Sequence, residues 1–195
     1  MPTFTHGTNA VVLLDKTNLS TTLTDASYSI TSDVAETSTF SSTSKSYIAG
    51  LKDSTATMSG FFESTSPDAD AEFLSELGGS GAAYSVAPIG YTRGNPLDFG
   101  TTIATSYDRS AEVNSIVSVA VAMQFSGGAY DGKSLVAPAA FTATTTQTSV
   151  DFGAAGSSGG AGILHVTAKS GTSPQVIAKI QHSSDNSSFS DYITF

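Results

Sequence analysis

Apolar and polar residues alternate with period two through several stretches of this 195-residue chain. That period sends successive side chains to opposite faces of a β-strand. The longest run is "EVNSIVSVAVAMQFSG". Val113, Val117, Val119, Val121, Met123 and Phe125 fall on one face of it. Glu112, Asn114, Ser118, Ala120, Ala122 and Gln124 fall on the other, with Ile116 the one exception. The run predicts a strand of roughly 45 Å, buried on one face only. In "TDASYSITSD", Ala26, Tyr28 and Ile30 oppose Asp25, Ser27, Ser29 and Thr31. In "DSTATMSGFF", Ala56, Met58 and Phe62 alternate with Asp53, Thr55, Thr57 and Ser59. "AVVLLD" near the amino end is a short apolar run. "ILHVTAKSG", "QVIAKIQHSS" and "FSDYITF" give three further strands near the carboxyl end, with turn signals at Gly171–Pro174 and Ser183–Ser188.

One segment carries a helical signature. In "SPDADAEFLSELGG", Ser66 suits the N-cap and Pro67 the first helical position. Asp68, Asp70 and Glu72 load the positive end of the dipole, and Gly78 closes the segment. Ala69, Phe73, Leu74 and Leu77 form its apolar stripe. A helix is therefore predicted near 67–77. The alternating carboxylates of "DADAE" would also suit a calcium loop, but the glycine such a loop needs after its third ligand is missing.

Between the second and third patterned stretches lies "AETSTFSSTSKS", with almost no apolar anchor. A loop this polar cannot fold on its own surface, so residues 33–46 are expected to be mobile in a free subunit and ordered by a partner. The turn-rich stretch "APAAFTATTTQTS" suggests a division into 1–145, a β domain with one helix, and 146–195, whose strands complete or flank the same sandwich. A Gly/Ser loop, Asp151–Gly162, opens the second part. No internal repeat is present.

Composition narrows the class. The 32 Ser and 26 Thr supply the surface that Lys and Glu supply in a typical soluble enzyme. This usage fits a β-rich extracellular or virion protein. There is no Cys, which excludes disulfides and thiolate metal sites. The formal net charge is -9 with only eight Lys and Arg, which is no footprint for gripping phosphate. The amino end has neither a basic nor a long apolar region, so no signal peptide is expected, and no run of about 18 apolar residues predicts a membrane span.

One motif matches formally. "GGAYDGKS" (Gly127–Ser134) fits the phosphate-cradling pattern G-x-x-x-x-G-K-[ST] after a strong strand. A helix must follow such a loop, yet "LVAPAAFTATTT" follows, with Pro138 four residues on. The stretch is read instead as a Gly-rich hairpin turn. His6, His165 and His182 are scattered without metal-ligand spacing. No G-x-S-x-G elbow is present, although among 32 Ser some Ser/His/Asp trio must lie close by chance. Asn18–Ser20 and Asn186–Ser188 are glycosylation sequons that matter only in a eukaryotic secretory setting. No catalytic, metal or cofactor site is expected.

The order of four pieces resembles the tail tube (major tail) proteins of long flexible-tailed bacteriophages. They are "ETSTFSSTSKSYIAGLKDSTATMSGFFE", the helix "DADAEFLSEL", "VAVAMQFSGGAYDGKSL", and the final "GILHVTAKSGTSPQVIAKIQHSSDNSSFSDYITF". The resemblance spans nearly the whole chain. It implies a β-sandwich or barrel subunit with one flanking helix, in hexameric rings that stack into a tube. Long strands of each copy would join one continuous β-barrel, and the loop before the second long strand would reach the adjacent ring. It further implies a virion protein made in the bacterial host cytoplasm, with tape measure and tail-end proteins as partners, DNA passing without specific binding, and no membrane. Related chains run on past the position of Phe195 into a further basic strand.

The pattern itself agrees with that picture. A long strand with one apolar face must have its edge covered, and closing strands of several copies into a barrel removes every edge. Four strands from each of six copies, about 24, give a diameter of roughly 37 Å untilted and roughly 48 Å at about 40° tilt. The polar positions Asp25, Ser27, Ser29, Asp53, Thr55, Thr57, Glu112, Asn114 and Ser118 would line the bore. Asp33, Glu36, Phe40 and Lys45 would mark the loop between rings. The expected class is all-β with one flanking helix. The alternatives are a capsid decoration or fibre protein, or a secreted β-sandwich binding module. The second would need an aromatic platform, and no cluster of Tyr or Phe suits that role.

Overall fold

A computed structural model describes residues 5–63, 69–153, 159–172 and 174–195. Among the described residues the chain is all-β with one α-helix. After a 3-10 turn at Gly7–Asn9 come β1 (Val11–Leu14), β2 (Thr17–Asn18), β3 (Leu23–Glu36) and β4 (Tyr47–Phe61). Helix α1 (Ala69–Glu76) follows, then β5 (Ala82–Ala87), β6 (Pro96–Ser110), β7 (Ser118–Lys133), β8 (Lys179–His182) and β9 (Ser190–Thr194). Seven strands form one open sheet in the order β2-β1-β5-β6-β7-β4-β3; β8 and β9 form a separate antiparallel pair.

The chain divides into two compact units. The first contains Met1–Thr21, Ala83–Phe99 and Tyr130–Phe195. In it Val12, Leu13 and Leu14 of β1 are buried with Leu19, Tyr84 and Ala87. Ala87, Leu97 and Phe99 cluster, with Tyr91 and Ile163 packed against them.

The second unit contains Thr22–Ala82 and Gly100–Ala129. Its core follows the alternation read from sequence: Ala56 and Met58 of β4 and Val119, Val121, Met123 and Phe125 of β7 are all buried. In the helix, Ala69 and Phe73 are buried but Leu74 is exposed, and Leu77 lies past the helix end, exposed and bridged to Ala104, so the apolar stripe is narrower than expected. Eight residues make about two turns, and only one side of two turns can meet a sheet. Gly78, at φ 69, closes the helix as predicted, and the Gly79 N–H donates to the Glu76 carbonyl at 3.0 Å. The expected cap at Ser66, Pro67 and Asp68 lies outside the described residues.

Two strand assignments shift. β7 begins at Ser118, not Glu112, and runs to Lys133. Residues 111–117 form the connection that β6 and β7 require, with Asn114 at φ 71 and the Ser115 N–H donating to the Glu112 carbonyl at 3.1 Å. Ile116, the break in the alternation, sits in that turn. At the other end, Gly127–Lys133 is strand, so the phosphate-loop match is neither a phosphate loop nor the hairpin turn expected. Gly127 and Gly128, at φ 85 and 102, let the strand continue through a conformation closed to other residues. Of the three carboxyl-terminal strands expected, two form; 163–171 is irregular.

Candidate functional surface

The candidate surface is built from β3, β4 and β7 of the second unit. In the β3–β4 register Asp25 pairs with Ser59, Ser27 with Thr57, Ser29 with Thr55, and Thr31 with Asp53. In the β4–β7 register Thr55 pairs with Gln124, Thr57 with Ala122, Ser59 with Ala120, and Phe61 with Ser118. Directly paired residues share a sheet face. Asp25, Ser27, Ser29, Asp53, Thr55, Thr57 and Ser118 therefore lie on one face, opposite the one that buries Met58 and Val121. Glu112 and Asn114 do not: both sit in the 111–117 turn.

This face satisfies itself. Ser27 Oγ and Thr57 Oγ1 are 2.8 Å apart. The Gln124 amide donates to the Asp53 carboxylate and, at 3.0 Å, to the Ser54 carbonyl. Asp25 and Asp108 border a shallow depression floored by Thr57, Ser59, Ser106 and Ala122. No Lys or Arg occupies a paired position in Asp25–Thr31, Asp53–Ser59 or Ser118–Gln124. The polar groups of this face are hydroxyls, carboxylates and the Gln124 amide, with Ala120, Ala122 and Phe61 among them.

Beyond the sheet, β3 and β4 continue as a two-stranded arm. β7 covers β4 only over Thr55–Phe61, whereas β3 follows β4 back to the Glu36–Tyr47 pair. β3 is also the last strand of the sheet, so fourteen residues present an edge with no further strand among the described residues. The arm bears exposed Ile30, Val34, Tyr47, Ile48 and Leu51. The expected loop is shorter than the sequence implied. Asp33 and Glu36 belong to β3, because the ladder with β4 extends that far; only 37–46, with Phe40 and Lys45, form the connection. That connection holds local bonds: Thr37 N–H to the Ser46 carbonyl at 2.8 Å, Ser46 N–H to Ser38 Oγ at 3.0 Å, and Lys45 to Glu36 at 3.0 Å.

A shift of register between Ser32 and Val34 divides the arm. Ser32 pairs with Lys52 and Val34 with Ala49, so β4 carries one extra residue there. Sequence reasoning missed this bulge and the apolar side chains beyond it. Its signal is a change of parity: Tyr47, Ala49 and Leu51 are apolar at odd positions, Ala56 and Met58 at even ones.

A Ser–His arrangement does form, in the first unit. His165 Nε2 lies 2.6 Å from Ser85 Oγ, and Nδ1 lies 2.7 Å from the Asp15 carbonyl oxygen. Ser85 Oγ also meets the Tyr91 hydroxyl. Because a carbonyl can only accept, Nδ1 carries the proton and Nε2 accepts from Ser85. The Asp15 carboxylate instead accepts the Ala83 N–H at 2.6 Å. Ser85 is fully buried, so no substrate reaches it, and the chain of bonds fastens His165 to β5 and the β1–β2 turn. Burial lowers the His165 pKa against the opposing Asp15 carbonyl and carboxylate. Burial pushes the Tyr91 hydroxyl up to about 12, against its bond to Ser85. The other histidines make separate local bonds, His6 to Thr8 and His182 to Ser190. Lys133 donates to the Asp151 carbonyl at 2.6 Å and stands over the Phe152 ring, so its ammonium serves the chain itself.

No protein-family model and no curated protein sequence matches the chain. Solved structures match its fold. A chain from the virion of a native gene transfer agent particle aligns with a TM-score of 0.53 at 15% identity, over 66% of this chain and 99% of that one. A chain from the C6-symmetric tail of an empty gene transfer agent particle gives 0.52 at 16% identity, over 65% and 98%. The SPP1 tail tube gives 0.53 at 10% identity, over 67% and 80%. Over about two thirds of its length this chain therefore has the fold found in those tail structures.

Proposed function

We propose that this chain is the structural subunit of a phage tail tube, six copies to a ring, with rings stacked into a conduit for DNA. The observation that carries the proposal is the β3–β4 arm. An isolated two-stranded ribbon is marginal in water, and a long uncovered edge invites pairing. Each apolar side chain on the arm stabilises by about 1.5–3 kcal/mol only once a partner buries it. Copies of this chain supply such partners edge to edge. The likeness of fold to the SPP1 tail tube and to a tail of C6 symmetry supports the ring and its sixfold count.

In this reading β3, β4, β7 and β6 of each copy contribute to a common barrel. The hydroxyl and carboxylate face, with Asp25, Ser27, Ser29, Asp53, Thr55, Thr57 and Ser118, lines the bore. A wall without cations suits transit, since every cationic contact with phosphate adds counterion-release affinity that passage must then break. Glu112 and Asn114 stand at the rim. The protein acts in the virion without catalysing a reaction, is made in the host cytoplasm, and meets tape measure and tail-end proteins at the limits of the tube.

Negative-stain microscopy of the purified protein tests the proposal. Rings or tubes with a central bore are expected. A uniform monomer or compact trimer at high concentration would favour a binding module or a decoration protein instead.

A further inference from the structure

Residues 159–166 run through the first unit as a strap. Leu164 and Val166 are exposed, whereas Gly162, Ile163 and His165 are half-buried. Ile163 packs against the cluster of Ala87, Leu97 and Phe99. His165 fastens to β5 through Ser85 and to the β1–β2 turn through the Asp15 carbonyl. The start of the strap lies close against β8 and β9. A Cβ on Gly160 would meet the Tyr192 ring, and one on Gly162 would meet Ile180 and Ile193.

Ile180 and Ile193 are directly paired across β8 and β9. A two-stranded pair is marginal by itself in water, so it depends on what covers its apolar side chains. The strap supplies that cover, and the same four residues, Gly162 to His165, join the pair to the cluster. An exposed hydrogen bond from Ser149 to Asn186 at 2.7 Å also reaches the β8–β9 loop, and neither of its groups titrates near neutrality.

His165 is the member of the strap that can change state. Its Nε2 accepts from Ser85 Oγ, which accepts from Tyr91. A proton on Nε2 turns that acceptor into a donor. Ser85 Oγ has two lone pairs, so it could accept from both rings, but its own proton would then lack an acceptor in a residue with no solvent exposure. The titratable groups around this network come from each neighbouring element. They are the Asp15 carboxylate of the β1–β2 turn, the Tyr91 hydroxyl of the loop after β5, and Tyr84 of β5 with Asp98 of β6, which act on each other. Of these the Asp15 carboxylate favours a charged ring, and it is already engaged by the Ala83 N–H.

We propose that His165 is an acid-sensitive latch: a proton on its ring frees residues 159–166, and with them the β8–β9 pair, while the seven-stranded sheet stays folded. This device belongs to the first unit and stands whether or not the chain builds a tube.

The chain contains no cysteine, so an introduced thiol is the only one present. Ala87→Cys puts a thiol in the fully buried cluster that Ile163 covers. Its labelling by a dipyridyl disulfide, a reagent that still reacts in acid, is measured relative to exposed Thr142→Cys. In the opened strap His165 titrates near 6.5, so opening binds a proton as pH falls below that value. The labelling ratio is therefore expected to rise several-fold, up to about tenfold, from pH 7.5 to 5.5, and to stay flat in His165→Gln. Ala56→Cys, buried in β4, should stay protected at both pH values. Leu97→Cys is the second probe, used if Ala87→Cys fails to fold. An equal rise at Ala56→Cys would show unfolding of the whole chain and overturn the latch. A rise that survives in His165→Gln, or no rise with either probe, would overturn it as well.

Discussion

Ser27 Oγ and Thr57 Oγ1 stand 2.8 Å apart across the β3–β4 ladder, hydroxyl to hydroxyl on an open sheet face. A cross-strand pair of this kind contributes about 0.2–1 kcal/mol. Thr57→Lys removes the pair and adds a cation to a face that has none, leaving the core side of β4 untouched. Subunit stability should fall by no more than about 1 kcal/mol. Six copies per ring would set six ammonium groups among the twelve carboxylates of Asp25 and Asp53, giving phosphate a cationic contact at every subunit. Assembled Thr57→Lys tubes should retain single-stranded DNA at low salt and release it as salt rises, while unmodified tubes retain none at any salt. Filter binding across a salt series measures this, and equal retention by both would place Thr57 away from the bore.

How much of this was legible beforehand differs from strand to strand. The buried set of β7, Val119 to Phe125, was plain because each position has a core beneath it. Extending the same period back to Glu112 and Asn114 failed, because alternation alone does not mark where an antiparallel pair must turn. Val113 continues the pattern yet stands exposed in the turn. Asp33 and Glu36 look like loop in the sequence for the opposite reason: a ribbon exposed on both faces shows no one-sided pattern. His165 had no local signal, since its partners Ser85 and Asp15 lie far away in sequence. The arm's bulge was present as a parity switch between Leu51 and Ala56.

Met58 is nearly inaccessible and pairs with Ala26 on one side and Val121 on the other. Met58→Ala should destabilise the subunit by about 3 kcal/mol, combining lost transfer energy with a cavity. Thr55→Ala, on the opposite face of the same strand, should cost within about 0.5 kcal/mol. Urea unfolding of a form lacking Ser38–Ser44 measures both without interference from assembly. That deletion should itself leave the fold intact and abolish stacking, because it removes only the tip of the arm. Similar midpoints for the two substitutions would mean the faces of β4 are reversed.

The phosphate-pattern stretch makes a direct prediction. Gly127–Lys133 is strand, and the Lys133 ammonium is engaged by the Asp151 carbonyl and the Phe152 ring. Titration with magnesium ATP should release no binding heat. Lys133→Ala should leave assembly unchanged and speed proteolytic cleavage near Asp151, where the tether is lost. Micromolar nucleotide binding abolished by Lys133→Ala would instead assign the lysine to a phosphate.

His165 sets a pH dependence whose sign follows from its bonds. As a neutral ring it donates from Nδ1 to the Asp15 carbonyl and accepts at Nε2 from Ser85, which in turn accepts from Tyr91. A proton on Nε2 breaks the acceptance and puts a charge in a buried place. The folded pKa therefore lies below the unfolded value of about 6.5. Between those two values the unfolded chain binds more protons, so stability rises with pH there. The contribution is complete above about pH 6.5 and is lost as pH falls through the folded pKa. The Asp15 carboxylate, by opposing the shift, narrows the window without reversing it. Unfolding midpoints from pH 7.5 to 5 should decline for the unmodified chain and flatten for His165→Gln, which keeps one donor and one acceptor but does not titrate. Ser85→Ala should cost about 1–3 kcal/mol at pH 7.5, because Nε2 and the Tyr91 hydroxyl each lose a partner in a buried place. A decline of the same slope in His165→Gln would assign the pH dependence to carboxylates elsewhere.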